Sequence, residues 1–167
     1  MQRYTVVRTR EGWVAAGGCD EGLRFTTLPQ PTRSELLASL GDLVSGAVED
    51  DGAYGDLARR LRKYFNGERV DFPDKIDLAG ATEFDRLCWN AARSIPYGEV
   101  RTYSWLAKRA GRPNAWRAAG NAMARNRLPI IVPCHRVVAS DGGLGGFSGG
   151  LGVKKLLLSV EAGGAIA

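Results

Sequence analysis

Residues 102–125, TYSWLAKRAGRPNAWRAAGNAMAR, decide the fold of the second half of this chain. Thr102 can cap a helix running to about Ala110, which Gly111 closes. Arg112-Pro113-Asn114 makes a short turn, and Asn114 can cap a following helix to about Arg125. Two short helices on a tight Gly/Pro turn form a helix-turn-helix candidate. The expected outward positions of the second helix are Ala115, Arg117, Ala118, Ala119, Gly120 and Ala122. A helix that reads base edges carries Arg, Asn, Gln or Lys. This one offers methyl groups around one arginine, which suits close approach with little sequence reading. Small residues suit a helix–helix contact equally well.

Downstream lies Pro133-Cys134-His135-Arg136-Val137-Val138. His135 is the single histidine, and Cys134 is one of three cysteines. The thiolate, not the thiol, is the nucleophile, and a neighbouring imidazole is one way to make it. Ile130-Ile131-Val132 is an apolar run that buries the approach to the cysteine. Asp141 to Gly150 is Gly-rich and lets backbone come close to a ligand. Adjacent side chains in an extended segment point to opposite sides, so Cys134 and His135 need a bend or a bridging water to share a proton. Asn126 is placed to brace such a bend. Glu161 ends a helical stretch from Val153 and can take the other imidazole N–H. Cys88 lies on the apolar face of a helix from Thr82 to Ile95, and Cys19 beside a turn; both read as packing cysteines.

The first half reads as a small α/β unit. Tyr4–Arg10, Trp13–Gly17 and Leu23–Leu28 are strand candidates between Gly turns. Ser34 to Leu40 reads as a short helix, and Tyr54 to Phe65 as an amphipathic one stopped by Asn66-Gly67. Residues 41–55 show no decisive pattern. Asp71 to Leu78 reads as a connector, giving domains 1–78 and 79–167. The expected class is α+β.

Charge is divided between the halves. Residues 1–79 carry 11 Lys/Arg against 13 Asp/Glu, and residues 80–167 carry 12 against 5. The positive balance therefore lies in the second half and suits a polyanion. No apolar run approaches the ~20 residues of a membrane span. The N-terminus lacks a secretory pattern, and odd, widely spaced cysteines suit a reducing compartment. The expectation is a cytoplasmic monomer that does not engage membranes. One His with scattered cysteines does not make a zinc site, and no metal or organic cofactor is expected.

The chain from about 82 to 161 resembles the O6-alkylguanine-DNA alkyltransferases. The resemblance is carried by Ile95-Pro96-Tyr97-Gly98-Glu99-Val100, Tyr103, Arg117 to Met123, Asn126, Pro129 to Val138, Gly145 to Gly150 and Lys154 to Glu161. Over the first half it is an outline only, ending at Tyr64 to Gly67. It implies an RNase H-like first domain and a winged helix-turn-helix-like second one. It also implies irreversible, single-turnover transfer of an alkyl group from O6 of guanine, possibly O4 of thymine, in double-stranded DNA.

The implied roles follow position by position. Cys134 is the alkyl acceptor, with His135 and Glu161 as the relay that deprotonates it. Asn126 braces the turn. Tyr103 hydrogen-bonds the flipped base at N3, and Arg117 fills the gap in the duplex. The Val137 carbonyl meets the guanine amino group, a Ser148 backbone donor faces O6, Met123 lies where the family lines the alkyl pocket, and Phe147 is a further substrate-binding candidate. Ser104, Arg112, Ala118 and Ser140 are further DNA-contact candidates. Trp116 departs from the family, which has a small residue there, and Phe147 replaces a frequent Tyr. A zinc site that some relatives carry in the first domain is missing. Two other classes compete: a helix-turn-helix damage-binding protein without chemistry, and a cysteine hydrolase.

Overall fold

The structure is a computed structural model and describes residues 1–147 and 149–163. The chain divides into two compact units, one of Met1–Asp77 and one that begins at Leu78.

In the first unit, β1 (Arg3–Thr9) and β2 (Gly12–Cys19) form an antiparallel hairpin in register from Arg3↔Gly18 to Thr9↔Gly12. β3 (Gly22–Thr26) extends it, and β4 (Val48–Glu49) runs parallel to β1, for a sheet order β3-β2-β1-β4. β4 lies where the sequence shows no pattern. It is held through its backbone, Val48 N–H to the Gln2 carbonyl (3.0 Å) and Asp50 N–H to the Tyr4 carbonyl (2.9 Å), and its side chains are exposed. The Thr32 hydroxyl caps α1 (Arg33–Leu40) by accepting from Glu35 N–H (3.1 Å), so the helix starts slightly ahead of the expected Ser34. Leu36 and Leu40 then pack on Ala15 and Phe25, with Tyr4, Val6 and Trp13 around them. α2 (Gly55–Phe65) buries Leu57, Ala58, Leu61, Tyr64 and Phe65 and contacts β1. The expected connector is also pinned: Leu23 N–H donates to the Lys75 carbonyl (2.9 Å), and Asp77 N–H to the Leu23 carbonyl (2.7 Å).

In the second unit, α3 (Glu83–Arg93), α4 (Tyr103–Arg109) and α5 (Trp116–Ala124) pack against one another. Thr82 and Thr102 cap the first two by accepting from Asp85 N–H (3.1 Å) and Trp105 N–H (3.0 Å). The expected Asn114 cap is not formed. The Ala115 N–H turns back to the Arg112 carbonyl (2.9 Å), which delays the helix, and Ala115 takes the cap position with no side-chain bond. Ala119 and Ala122 are fully buried rather than outward. The Trp89 indole N–H donates to the Ala122 carbonyl (2.8 Å), so this side of α5 packs against α3. β5 (Arg101–Thr102) pairs in parallel with β6 (Val137–Val138), and α6 spans Leu151–Glu161. No helix is long and apolar enough to cross a membrane among the described residues.

Candidate active site

The loop between α5 and Cys134 is built on Asn126. Its Nδ2 donates to the Val132 carbonyl (2.8 Å), and its Oδ1 accepts from Leu128 N–H (2.9 Å). Between those anchors Val132 N–H reaches the Leu128 carbonyl (2.7 Å). Ile130 is forced to φ +77°, a region a β-branched residue adopts only when its surroundings impose it. Burial of Ile130, Ile131 and Val132 supplies that imposition. Pro133 (φ −79°, ψ 67°) then makes an inverse γ-turn closed by Cys134 N–H to the Val132 carbonyl (2.8 Å). A single 3-10 turn, Cys134–Arg136, follows. The segment carrying the thiol is therefore bent, as sharing a proton between neighbouring side chains requires.

Behind Cys134 lies a buried polar cluster. His135 Nε2 hydrogen-bonds Glu161 Oε2. Arg136 grips the same carboxylate with two donors, Nε to Oε1 (2.8 Å) and Nη2 to Oε2 (3.1 Å), and its Nη1 donates to the Ile95 carbonyl (2.8 Å). Gly98 N–H also donates to Oε1 (3.1 Å). Burial by itself would raise the Glu161 carboxyl, but the hydrogen bonds from His135 and Arg136 and the Arg136 charge hold it well below the usual carboxylate range. Burial lowers His135 despite the pull of Glu161, so the resting ring is neutral. An ionised carboxylate only accepts, which puts the imidazole proton on Nε2 and leaves Nδ1 as the basic nitrogen.

Cys134 is 5% exposed and forms part of the wall of a cavity of about 580 Å³. Tyr103, Arg117, Met123, Phe147 and Trp116 line the same cavity. Burial pushes the Cys134 thiol up; an Asn126 hydrogen bond, the Lys154 charge and backbone N–H groups oppose it. The resting sulfur is thus a guarded thiol. Lys154 is fully buried, and burial pulls its ammonium down to about 8. It donates to the carbonyls of Val137 (2.7 Å), Gly146 (3.2 Å) and Leu144, and to the Tyr103 hydroxyl (3.4 Å). Tyr103 in turn donates to the Gly146 carbonyl (3.2 Å). One ammonium therefore ties the Gly-rich loop, β6 and Tyr103 together. Burial, then the nearby Cys134, raises the Tyr103 hydroxyl, which stays a proton donor.

The structure thus gathers Cys134, Tyr103, Met123, Phe147 and Arg117 around one cavity, with His135, Glu161 and Asn126 supporting the sulfur. The buried Val137 lies outside that lining, its carbonyl already accepting from Lys154. Ser104 and Arg112 are exposed on α4 and in the turn after it, Ala118 is half-buried on α5, and Ser140 is exposed after β6. Ser148 lies outside the described residues. Arg136 and Lys154 are the two site residues that sequence reasoning missed. The available signal was position: Lys154, Leu157 and Glu161 share one helical stripe, and Arg136 adjoins the His. Among the described residues no three His, Cys, Asp or Glu side chains are grouped to hold a metal ion.

Residues 83–163 match the family model described as 6-O-methylguanine DNA methyltransferase, DNA binding domain. The methylated-DNA–protein-cysteine methyltransferase of Methanosarcina acetivorans is 37% identical over 158 residues, covering 95% of this chain and 97% of that one. That of Mycobacterium leprae is 45% identical over 116 residues, 70% of each chain. The crystal structure of Mycobacterium tuberculosis OGT in complex with DNA superposes with a TM-score of 0.79 at 33% identity, covering 98% of this chain and 95% of that one. The O6-methylguanine-DNA methyltransferase of Pyrococcus kodakaraensis KOD1 gives 0.72 at 30% identity, covering 96% and 99%.

Proposed function

The chain belongs to the methylated-DNA–protein-cysteine methyltransferase family, and from that premise we propose that it repairs DNA by taking the alkyl group of O6-alkylguanine onto Cys134. One observation carries the reading: a guarded thiol opens on a base-sized apolar cavity, with the His135–Glu161–Arg136 cluster buried behind it. The thiol proton passes to Nδ1 of His135, directly across the 3-10 turn or through one water. Glu161 stabilises the imidazolium that forms. The thiolate attacks the alkyl carbon, so a C–S bond forms as the C–O6 bond breaks. The electron pair leaves on the purine, and Tyr103 offers its proton at N3. Asn126 and Lys154 keep sulfur, loop and Tyr103 in register.

A stacked base cannot bring its O6 substituent to this wall, so the nucleotide leaves the duplex at a cost of a few kcal/mol. Arg117, on the exposed side of α5, supports that step by filling the vacated position. The partner is DNA. Arg109, Arg112 and Arg117 lie over the rings of Trp105, Phe84 and Trp116 rather than on carboxylates, which keeps their charge available to phosphates. The thioether product has no ready leaving route, which supports one transfer per molecule. A binding protein without chemistry would leave the buried relay unused.

We assign the finer fold names to this same reading. The first unit is RNase H-like scaffold and the second, with its β5–β6 pair, a winged helix-turn-helix that carries the chemistry. On this reading the two units are separate domains, and the chain acts as a cytoplasmic monomer without a cofactor. Intact mass before and after incubation with an O6-methylguanine duplex tests it. The expected result is one methyl increment, mapping to Cys134 and absent in Cys134→Ala; sustained turnover, or an unmodified Cys134, refutes it.

A further inference from the structure

Trp116 opens α5 and is 48% exposed, the one aromatic among the large apolar side chains that the described residues leave in water. A lone exposed apolar residue needs no explanation, but this one borders the cavity that contains Cys134. It also holds the next residue. The Arg117 guanidinium carbon stands 5.0 Å from the centre of the indole ring. Among the described residues no carboxylate pairs with Arg117, whereas Arg125 is fixed by Asp85 and Arg136 by Glu161. An arginine held by an aromatic face is aimed without a salt bridge to break before it moves.

With Arg117 filling the vacated position as described above, we propose that Trp116 completes the wedge: its indole stacks on the base left without a partner while it holds the guanidinium. This rests on the DNA reading above. Every base has a face for an aromatic ring to cover, and such stacking tolerates any sequence. Side chains inserted between base steps are an established way for a protein to hold a distorted duplex, with added contacts offsetting the unstacking. Trp116 is therefore a positioning residue for duplex DNA, not a participant in alkyl transfer.

The test uses the full chain and two duplexes, one intact and one with an abasic analogue that presents a partnerless base and no alkyl group. The wild type is expected to bind the abasic duplex more tightly. Trp116→Ala should reduce that preference about tenfold, the scale of one lost base–aromatic stack. Trp116→Phe should retain most of it. Trp116→Ala combined with Arg117→Ala should cost less than the two single losses added together, because the pair acts as a unit. A preference unchanged in Trp116→Ala overturns the wedge, as does an equal loss on both duplexes or a wild type with no preference. No alkyl group is transferred in this assay, so failure of Cys134 to accept one would count against the repair reading alone.

Discussion

Glu161 shows how much one residue holds. Its carboxylate serves a neutral imidazole, a guanidinium and a backbone N–H at once, all out of water. Removing one partner of a buried ion pair leaves the other charge uncompensated. Glu161→Gln is expected to cost about 3–5 kcal/mol of stability at neutral pH, and to slow transfer to Cys134. The sign with pH follows from the lowered carboxyl. A group held below its ordinary value of 4.5 stabilises the fold above that value and loses its contribution as pH falls towards the folded one. Urea unfolding from pH 7 to pH 3 should therefore show the gap between wild type and Glu161→Gln closing below about 4.5. A gap that stays constant would mean the carboxylate is not the ionised partner of Arg136.

At the level of elements, the described part of the Gly-rich loop meets α4 at Tyr103. A Cβ on Gly145 would lie 2.7 Å from Tyr103 Cε2 and 2.9 Å from its hydroxyl, and the residue sits at φ +72°. A side chain there must push Tyr103 off the cavity wall. Gly145→Ala should slow alkyl transfer about a hundredfold, the scale of one lost donor to developing charge. The three nearest atoms to that Cβ all belong to Tyr103, so the disturbance centres on this ring. A stopped-flow or quench rate equal to wild type would show that Tyr103 has no role at the base. At this scale the sequence was partly legible. Thr82 and Thr102 announce their helices because a hydroxyl before an apolar stripe is a local signal. The two-residue strands β4, β5 and β6 carry no such signal, since their partners are distant in sequence.

For the whole molecule, charge is the property that separates the units. Residues 1–77 hold 11 Lys/Arg against 13 Asp/Glu, and the remainder 12 against 5. In the first unit Arg24, Arg33 and Arg60 are neutralised by Asp77, Glu49 and Asp74. Binding to an undamaged duplex should weaken linearly in log affinity against log salt. Arg112→Ala should reduce the slope by about one, while Arg24→Ala leaves it unchanged, as titrations across salt concentrations would show. Equal effects of both substitutions would place the DNA on both units.

The sequence alone marked Cys134, His135, Glu161 and Asn126 as candidates and predicted two short helices on a tight turn, because the cysteine–histidine pair and the turn are written in neighbouring residues and the rest follow a family pattern. Only the tertiary structure decided what surrounds the sulfur. Burial keeps Cys134 a thiol at rest, His135 and Arg136 together hold Glu161 ionised from 26 and 25 positions away, and Lys154 binds three carbonyls and a phenol that share no local pattern. Desolvation and charge pairing depend on what the folded chain packs around a group, and adjacency in sequence does not encode that.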